Sequence, residues 1–279
     1  MKLNEETKLI ARFHTQPNNR GLNIYNPYFE AAGVNAVYLL FQNPAPGPLF
    51  RAMRDLGIAG AIPAAFEKNP ELVSLVDTLS GAAAKIERVS FVKNTSGKLV
   101  GYYAAAKGLS DAVHSVVKVA GKRVVVMGAG TVVRGLLAQW ELDGVRPKSI
   151  VLYNRTLAHA KAVQKEFSQV REVHELVKLP EATGDIFVNA TDVGAPWNKE
   201  DYTFTDAFLQ RFSAVADVTF VPLAPPLITS AQRLQIPYAS GWKMFLYQGK
   251  FAMETILDIS VDADLLAKFL VEDFAHNWV

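Results

Sequence analysis

Residues 122–142 read KRVVVMGAGTVVRGLLAQWEL, and the fold follows from how this stretch is parsed. RVVVM is an unbroken apolar run with the length of a strand buried on both faces. Gly128-Ala129-Gly130 then makes a tight turn, and VVRGLLAQW resumes with helical character. Strand, glycine turn and helix in that order form the corner that cradles phosphate in a dinucleotide-binding fold. Gly128 permits the turn, and Gly130 lets the backbone approach a pyrophosphate. The helix opening at Thr131 and Val132 offers that anion free N–H groups and the positive end of its dipole. Val133 occupies the third small position of the pattern and is bulky for it. The competing reading is therefore an ordinary strand–helix turn.

Downstream, SIVLYNRT (149–156) reads as the next strand and HAKAVQKEF (159–167) as the next helix. DIFVNAT (185–191) and AVADVTF (214–220) supply two more strands. Strands alternating with helices imply a parallel, doubly wound sheet. The second strand ends in Asn154-Arg155-Thr156, where an NAD site usually places an acidic residue for the ribose hydroxyls. A guanidinium there suits a 2′-phosphate and can stack on adenine. NADP is thus expected over NAD, the alternative being that Arg155 is a solvated surface side chain.

Upstream, LIARF (9–13), AVYLLF (36–41) and IAGAI (58–62) read as strands, with helices over 24–33 and 47–57 between them. Two apolar stretches within 86–103 flank the turn sequence N-T-S-G and predict a hairpin. A helix is expected over 104–118, and the tail 243–275 has helical periodicity that would fold back onto the first half. The predicted architecture is α/β with two domains. An N-terminal α/β substrate domain spans 1–104 plus 243–279, and a Rossmann-type doubly wound NADP-binding domain spans 105–242.

Composition narrows the function. The 279 residues are 50% hydrophobic, ample for two moderate cores. Lys+Arg 29 against Asp+Glu 27 leaves a net charge of +2, which gives no reason to expect a nucleic-acid or membrane-surface partner. With no cysteine, thiolate catalysis and disulfides are excluded. The five histidines lack metal-ligand spacing, so no metal is expected. MKLNEETKLIARF lacks the apolar segment of a signal peptide, and no apolar run approaches ~18 residues. A cytoplasmic monomer or homodimer acting on a small molecule is the expectation.

The segments FEAAGVNAVYLLF, LGIAG, NTSGKLVGY, VVVMGAGTVVRG, YNRT, DIFVNAT and GWKMFLYQGKFAMET together resemble the shikimate dehydrogenase family, over nearly the whole chain. The family's G-A-G-G-A-A-R appears as Gly128 to Arg134, and its N-R-T and V-N-A-T appear intact as Asn154-Arg155-Thr156 and Val188-Asn189-Ala190-Thr191. Its G-x-x-M-x-x-x-Q appears as Gly241, Met244 and Gln248. The resemblance implies two domains with the active site in the cleft between them. It implies NADP-linked hydride transfer between a 3-dehydro compound and a cyclohexene alcohol carboxylate, with a Lys and an Asp sharing the alcohol proton. It also implies cofactor contacts at the glycine turn, Asn154 to Thr156, Asn189 to Thr191, Gly241 and Met244, and a substrate contact at Gln248.

Departures concentrate in the substrate pocket. Read without gaps from Gly60, the loop G-x-N-V-T-x-P-x-K becomes G-A-I-P-A-A-F-E-K. Lys68 falls on the catalytic lysine, with a surface lysine as the alternative, while Ile62 and Ala64 replace Asn and Thr. The family's S-x-S-P becomes Asn19-Arg20-Gly21-Leu22, and its His-Asn becomes Tyr25-Asn26. Arg20 either binds a carboxylate in place of the serines or is solvated. Ser90 stands for an asparagine, and in GYYAAAKG Ala105 stands for the catalytic aspartate. Losing partners to a hydroxylated ligand costs about 1–3 kcal/mol for each group left unpaired, so shikimate itself should bind poorly. Tyr25, Phe66 and Tyr103 point to a more apolar or planar ligand. Glu67, His14 and Tyr103 are the candidates to replace the aspartate. Three readings stand: an oxidoreductase with a different substrate, the family reaction performed slowly, and a silent NADP(H)- or ligand-binding protein.

Overall fold

A computed structural model describes residues 3–15, 19–64, 66, 70–198 and 204–277. The chain divides into two compact units, Met1–Ala104 with Gln248–Val279, and Ala105–Tyr247.

In the first unit β1 (Lys8–His14), α1 (Arg20–Ala31), β2 (Ala36–Gln42), α2 (Pro46–Asp55) and β3 (Gly60–Ile62) give the expected β-α-β-α-β rhythm. After α3 (Glu71–Ser74), β4 (Thr78–Leu79) and α4 (Ala82–Ile86) come β5 (Phe91–Thr95) and β6 (Lys98–Tyr102). The sheet order is β2-β1-β3-β5-β6-β4. β1 runs parallel to both β2 and β3, while β5 lies antiparallel to β3 and β6. The sheet is therefore mixed. The predicted hairpin is present, turning on Ser96 (φ 52°) and Gly97 (φ 87°), two successive positive φ values that match the twist of the flanking strands. Its first strand begins at Phe91, five residues into the predicted segment, and Ile86 at the start of that segment is the last residue of α4 instead.

α1 starts at Arg20, four residues before the sequence expectation, so Arg20, Gly21 and Tyr25 are helical. Gly21 and Pro27 lower the local helix propensity, but tertiary packing overrides it. Asn26 clamps the helix to β2, donating to the Tyr38 carbonyl at 3.0 Å and accepting the Tyr38 N–H at 2.8 Å.

The second unit opens with α5 (Ala104–His114), which ends short of the expected 118, then β7 (Arg123–Met127), α6 (Thr131–Leu142), β8 (Ser149–Asn154) and α7 (Leu157–Glu166). β9 (Val170–Glu175), a 3-10 turn (Leu176–Glu181), β10 (Ile186–Asn189), α8 (Asp206–Leu209), β11 (Ala214–Asp217), α9 (Pro226–Arg233) and β12 (Tyr238–Ala239) complete it. All six strands pair in parallel in the order β12-β11-β10-β7-β8-β9. This is the doubly wound dinucleotide-binding topology, with its switch point between β7 and β10. β8, β10 and β11 stop two to three residues before the expected ends at 156, 191 and 220. The excess residues leave the sheet and build loops at its carboxyl edge. Valines and isoleucines fill the strands because both faces are buried.

α10 (Gly241–Leu257) and α11 (Ala263–Asn277) form the tail. α11 packs on α1, with Asn23 donating to Asp273 at 2.9 Å and the Asp262 N–H to the Tyr28 hydroxyl at 3.0 Å. Lys8 reaches the Leu257 carbonyl at 3.2 Å. Among the described residues no helix is long and apolar enough to cross a membrane.

Candidate cofactor site

At the carboxyl edge of the parallel sheet, a cavity of about 210 Å³ opens over the switch point. Met127 and Gly128 form its floor, with Tyr153, Asn154, Arg155, Thr156 and His159 on one side and Thr191, Asp192 and Val193 on the other. Gly128 has φ +114°, a value that L side chains rarely adopt, and a Cβ there would meet the Ala190 carbonyl oxygen at 3.0 Å. Conformation and close approach both demand glycine.

The first turn of α6 begins at Gly130 and has no side-chain cap. A Cβ on Gly130 would meet nothing within 4 Å. The first turn of α6 is thus uncapped with open space beside Gly130, an arrangement suited to receiving a phosphate. α7 likewise starts from Thr156 without a side-chain cap. Asn154 donates to the Thr156 carbonyl at 2.8 Å and so shapes the turn that presents Arg155. Arg134 forks onto Glu166 with two bonds of 2.8 Å, tying α6 to α7. These residues fit a dinucleotide cofactor: an open helix terminus for its pyrophosphate, and an arginine on the wall where a ribose would lie.

Of the sequence-predicted cofactor residues, Gly128, Asn154, Arg155, Thr156 and Thr191 line the cavity. Ala129, Gly130, Thr131 and Val132 lie on the adjoining turn. The Asn189 side chain is fully buried and consumed internally, so it shapes the loop. The Ala190 N–H bonds the Met127 carbonyl at 2.9 Å, and Met244 is buried. Gly241 passes hard against the Thr219 backbone, its absent Cβ directed at the Val218 and Thr219 carbonyls. Tyr153, His159, Leu176, Asp192 and Val193 went unread in the sequence, because each reaches the wall only through strand order; His159, one turn beyond Arg155 on a predicted helix, had the clearest signal.

The substrate-pocket candidates lie in the other unit. Ser90 is buried at the β6–α5 junction and accepts the Ala104 N–H at 2.7 Å, so its hydroxyl caps a helix. Its neighbour Phe91 stacks on Tyr102 at 4.9 Å, and both meet Phe251 of α10 edge-on. Tyr103, next in the chain, is half-buried, as is Gln248, one turn before Phe251. Along the chain Ser90 and Tyr103 thus adjoin Phe91 and Tyr102, and Gln248 precedes Phe251 by one turn. Tyr25 is buried against Tyr38 and Phe29, with its hydroxyl at Gly249 and its ionisation pushed up by burial. Arg20 sits 5.3 Å over the Phe274 ring; burial lowers its pKa to about 10, with Asp273 acting in the opposite sense. Phe66, expected against the ligand, belongs to the apolar core with Phe13, Phe50 and Leu72, because the core of this small sheet needs its volume. Ala105 is half-exposed on the first turn of α5, and Lys107 nearby is paired with Asp111. His14 is buried at the end of β1, its Nδ1 without a hydrogen-bond partner among the described residues. Lys68 and Glu67 lie outside the described residues.

Comparison with known proteins places these features in context. A family profile described as Shikimate / quinate 5-dehydrogenase matches residues 110–211. Shikimate dehydrogenase (NADP(+)) of Pyrococcus abyssi is 28% identical over 251 residues, covering 89% of this chain and 91% of that protein. A solved shikimate 5-dehydrogenase-like protein superposes with a TM-score of 0.84 at 23% identity, over 99% of this chain and 100% of that one. The 5-ketofructose reductase of Gluconobacter superposes with a TM-score of 0.83 at 22% identity, over 96% and 99%.

Proposed function

We infer that this chain, a divergent member of the shikimate dehydrogenase family, is an NADP(H)-dependent oxidoreductase moving hydride between the cofactor and a cyclic alcohol or ketone other than shikimate. The cavity over the switch point carries the reading: Gly128 at φ +114° and Arg155 line it, and the uncapped start of α6 adjoins it. When bound, the nicotinamide would supply the hydride acceptor or donor. The chain's own groups do the rest. N–H groups of the glycine turn and α6 would hold the pyrophosphate, and Arg155 would pair with the 2′-phosphate.

Lys68 aligns with the family's lysine, and its ammonium would stabilise the alkoxide developing on the substrate oxygen. No carboxylate stands at position 105 to share the proton. We assign the substrate to the N-terminal unit, around Ser90, Tyr103 and Gln248, with Tyr25 and Arg20 as further contacts. Ser90 already spends acceptor capacity on Ala104, and Ile62, Ala64 and Ala105 offer no polar group. A ligand with fewer hydroxyls than shikimate leaves fewer groups unpaired in such a pocket. That the reductase of Gluconobacter shares this fold shows that the fold admits other substrates in other proteins.

The test is a panel of cyclic alcohols offered with NADP+ to the wild type and to Lys68→Ala. Turnover of a panel member that disappears in the variant, while NADP+ still binds, is the expected result. Shikimate oxidised at ~10² per second, an ordinary enzymatic rate, refutes the altered pocket. Ala105 favours one second reading, a silent NADP(H)-binding protein, for which the signature is cofactor binding with no oxidation across the panel.

A further inference from the structure

Asn189 and Asp217 end β10 and β11 opposite one another, and Ser240 follows β12 at the next register position beside Asp217. All three are at most 1% exposed. The Oδ1 of Asp217 accepts the Thr219 N–H at 2.9 Å and the Asn189 Nδ2–H at 3.1 Å. The second hydrogen of that amide goes to the Val193 carbonyl at 3.1 Å. The Asn189 Oδ1 accepts both the N–H and the hydroxyl of Thr191, at 3.1 and 2.7 Å. The Thr219 hydroxyl closes the ring onto the Val193 carbonyl at 3.4 Å. Thr191 and Val193 are wall residues of the cofactor cavity. Asp217 is not, and the groups that hydrogen-bond it, the Thr219 N–H and the Asn189 amide, are uncharged.

We propose that Asp217 is a positioning residue for the cofactor, fixing through Asn189 the Thr191–Val193 wall of the nucleotide cavity by hydrogen-bond geometry rather than by charge. The proposal rests on the NADP(H) reading above. The carboxyl supplies one oxygen as a shared acceptor; its Oδ2 and the Ser240 Oγ have no partner among the described residues. A neutral group with the same acceptor should therefore serve as well. Asparagine offers one, whereas alanine leaves two buried donors without an acceptor and frees the Asn189 amide to turn.

The experiment titrates NADPH by fluorescence into the full-length wild type, Asp217→Asn, Asp217→Ala and Asn189→Ser, with melting curves alongside. Asp217→Asn should bind within about threefold of wild type. Asp217→Ala and Asn189→Ser should raise the NADPH Kd about tenfold or more while remaining folded. A folded Asp217→Ala variant with an unchanged Kd overturns the proposal, as does an Asn variant as damaged as the Ala one. Should Asp217→Ala fail to fold, Asn189→Ser decides, since it removes the relay and leaves Asp217 in place; an unchanged Kd there overturns the proposal. A wild type that binds no NADPH overturns the cofactor reading and this relay with it, an outcome distinct from tight binding indifferent to the variants.

Discussion

Burial pushes the Asp217 carboxyl up from 3.8 to about 7, against the pull of its bonds from Thr219 and Asn189. A raised carboxyl pKa means that the folded chain holds a proton which the unfolded chain has released. Between about pH 4 and pH 7 the folded state binds more protons, so stability falls as pH rises through that window and levels off above it. A shift of roughly 3 units at 1.36 kcal/mol each gives about 4 kcal/mol lost from this one side chain by pH 8. Asp217→Asn keeps the Oδ1 acceptor and cannot ionise. Its stability relative to wild type should therefore grow by about 4 kcal/mol between pH 4 and pH 8. Urea denaturation of both proteins at several pH values measures this, with tryptophan fluorescence as the probe, since Trp140 is fully buried in the same unit. All other titrations cancel in the difference. Parallel stability–pH profiles for the two proteins would refute the reasoning, because they would mean that Asp217 is ionised in the folded state throughout.

Arg155→Ala should weaken NADP+ by about 10- to 100-fold, the worth of one charge-assisted contact, and weaken NAD+, which lacks the 2′-phosphate, far less; isothermal titration with both cofactors decides. Ser90→Ala removes the acceptor for the buried Ala104 N–H and should cost about 1 kcal/mol of stability, read from the urea midpoint. At Gly241 a Cβ would lie 2.6 Å from the Val218 carbonyl oxygen and closer still to Thr219. Backbone cannot yield as a flexible side chain does, so Gly241→Ala should cost about 3 kcal/mol, visible as a lower melting temperature; an unchanged melt would show that α10 can shift at no cost.

Local pattern carried much of this protein. RVVVM, the G-A-G turn and the helix after it are contiguous, so their steric and dipolar logic is complete within about twenty residues of sequence. The hairpin was legible for the same reason: Ser96-Gly97 supplies its own turn. Ile86 was placed in the hairpin segment although it closes α4, because its apolar side chain suits helix or strand, and the left-handed Glu87 that follows separates the two. Phe66 was misread because its aromatic character says nothing about which way it faces. Of the site, the glycine corner and Asn154-Arg155-Thr156 were readable as motifs, whereas Leu176 and Val193 were not, having no spacing that announces a shared wall.

The sequence by itself determined the strand–turn–helix corner, the alternation that makes the second sheet parallel, and the place of Arg155 at the end of the second strand, because each depends on neighbours along the chain. Tertiary structure alone decided what Asn189, Asp217 and Ser90 do. Asn189 and Asp217 lie 28 positions apart and meet only because β10 and β11 pair in register. Ser90 becomes a helix cap only where β6 runs into α5 beside it. Hydrogen bonding acts over about 3 Å in space, and the distance along the chain between two such partners carries no trace of it until the sheet has formed.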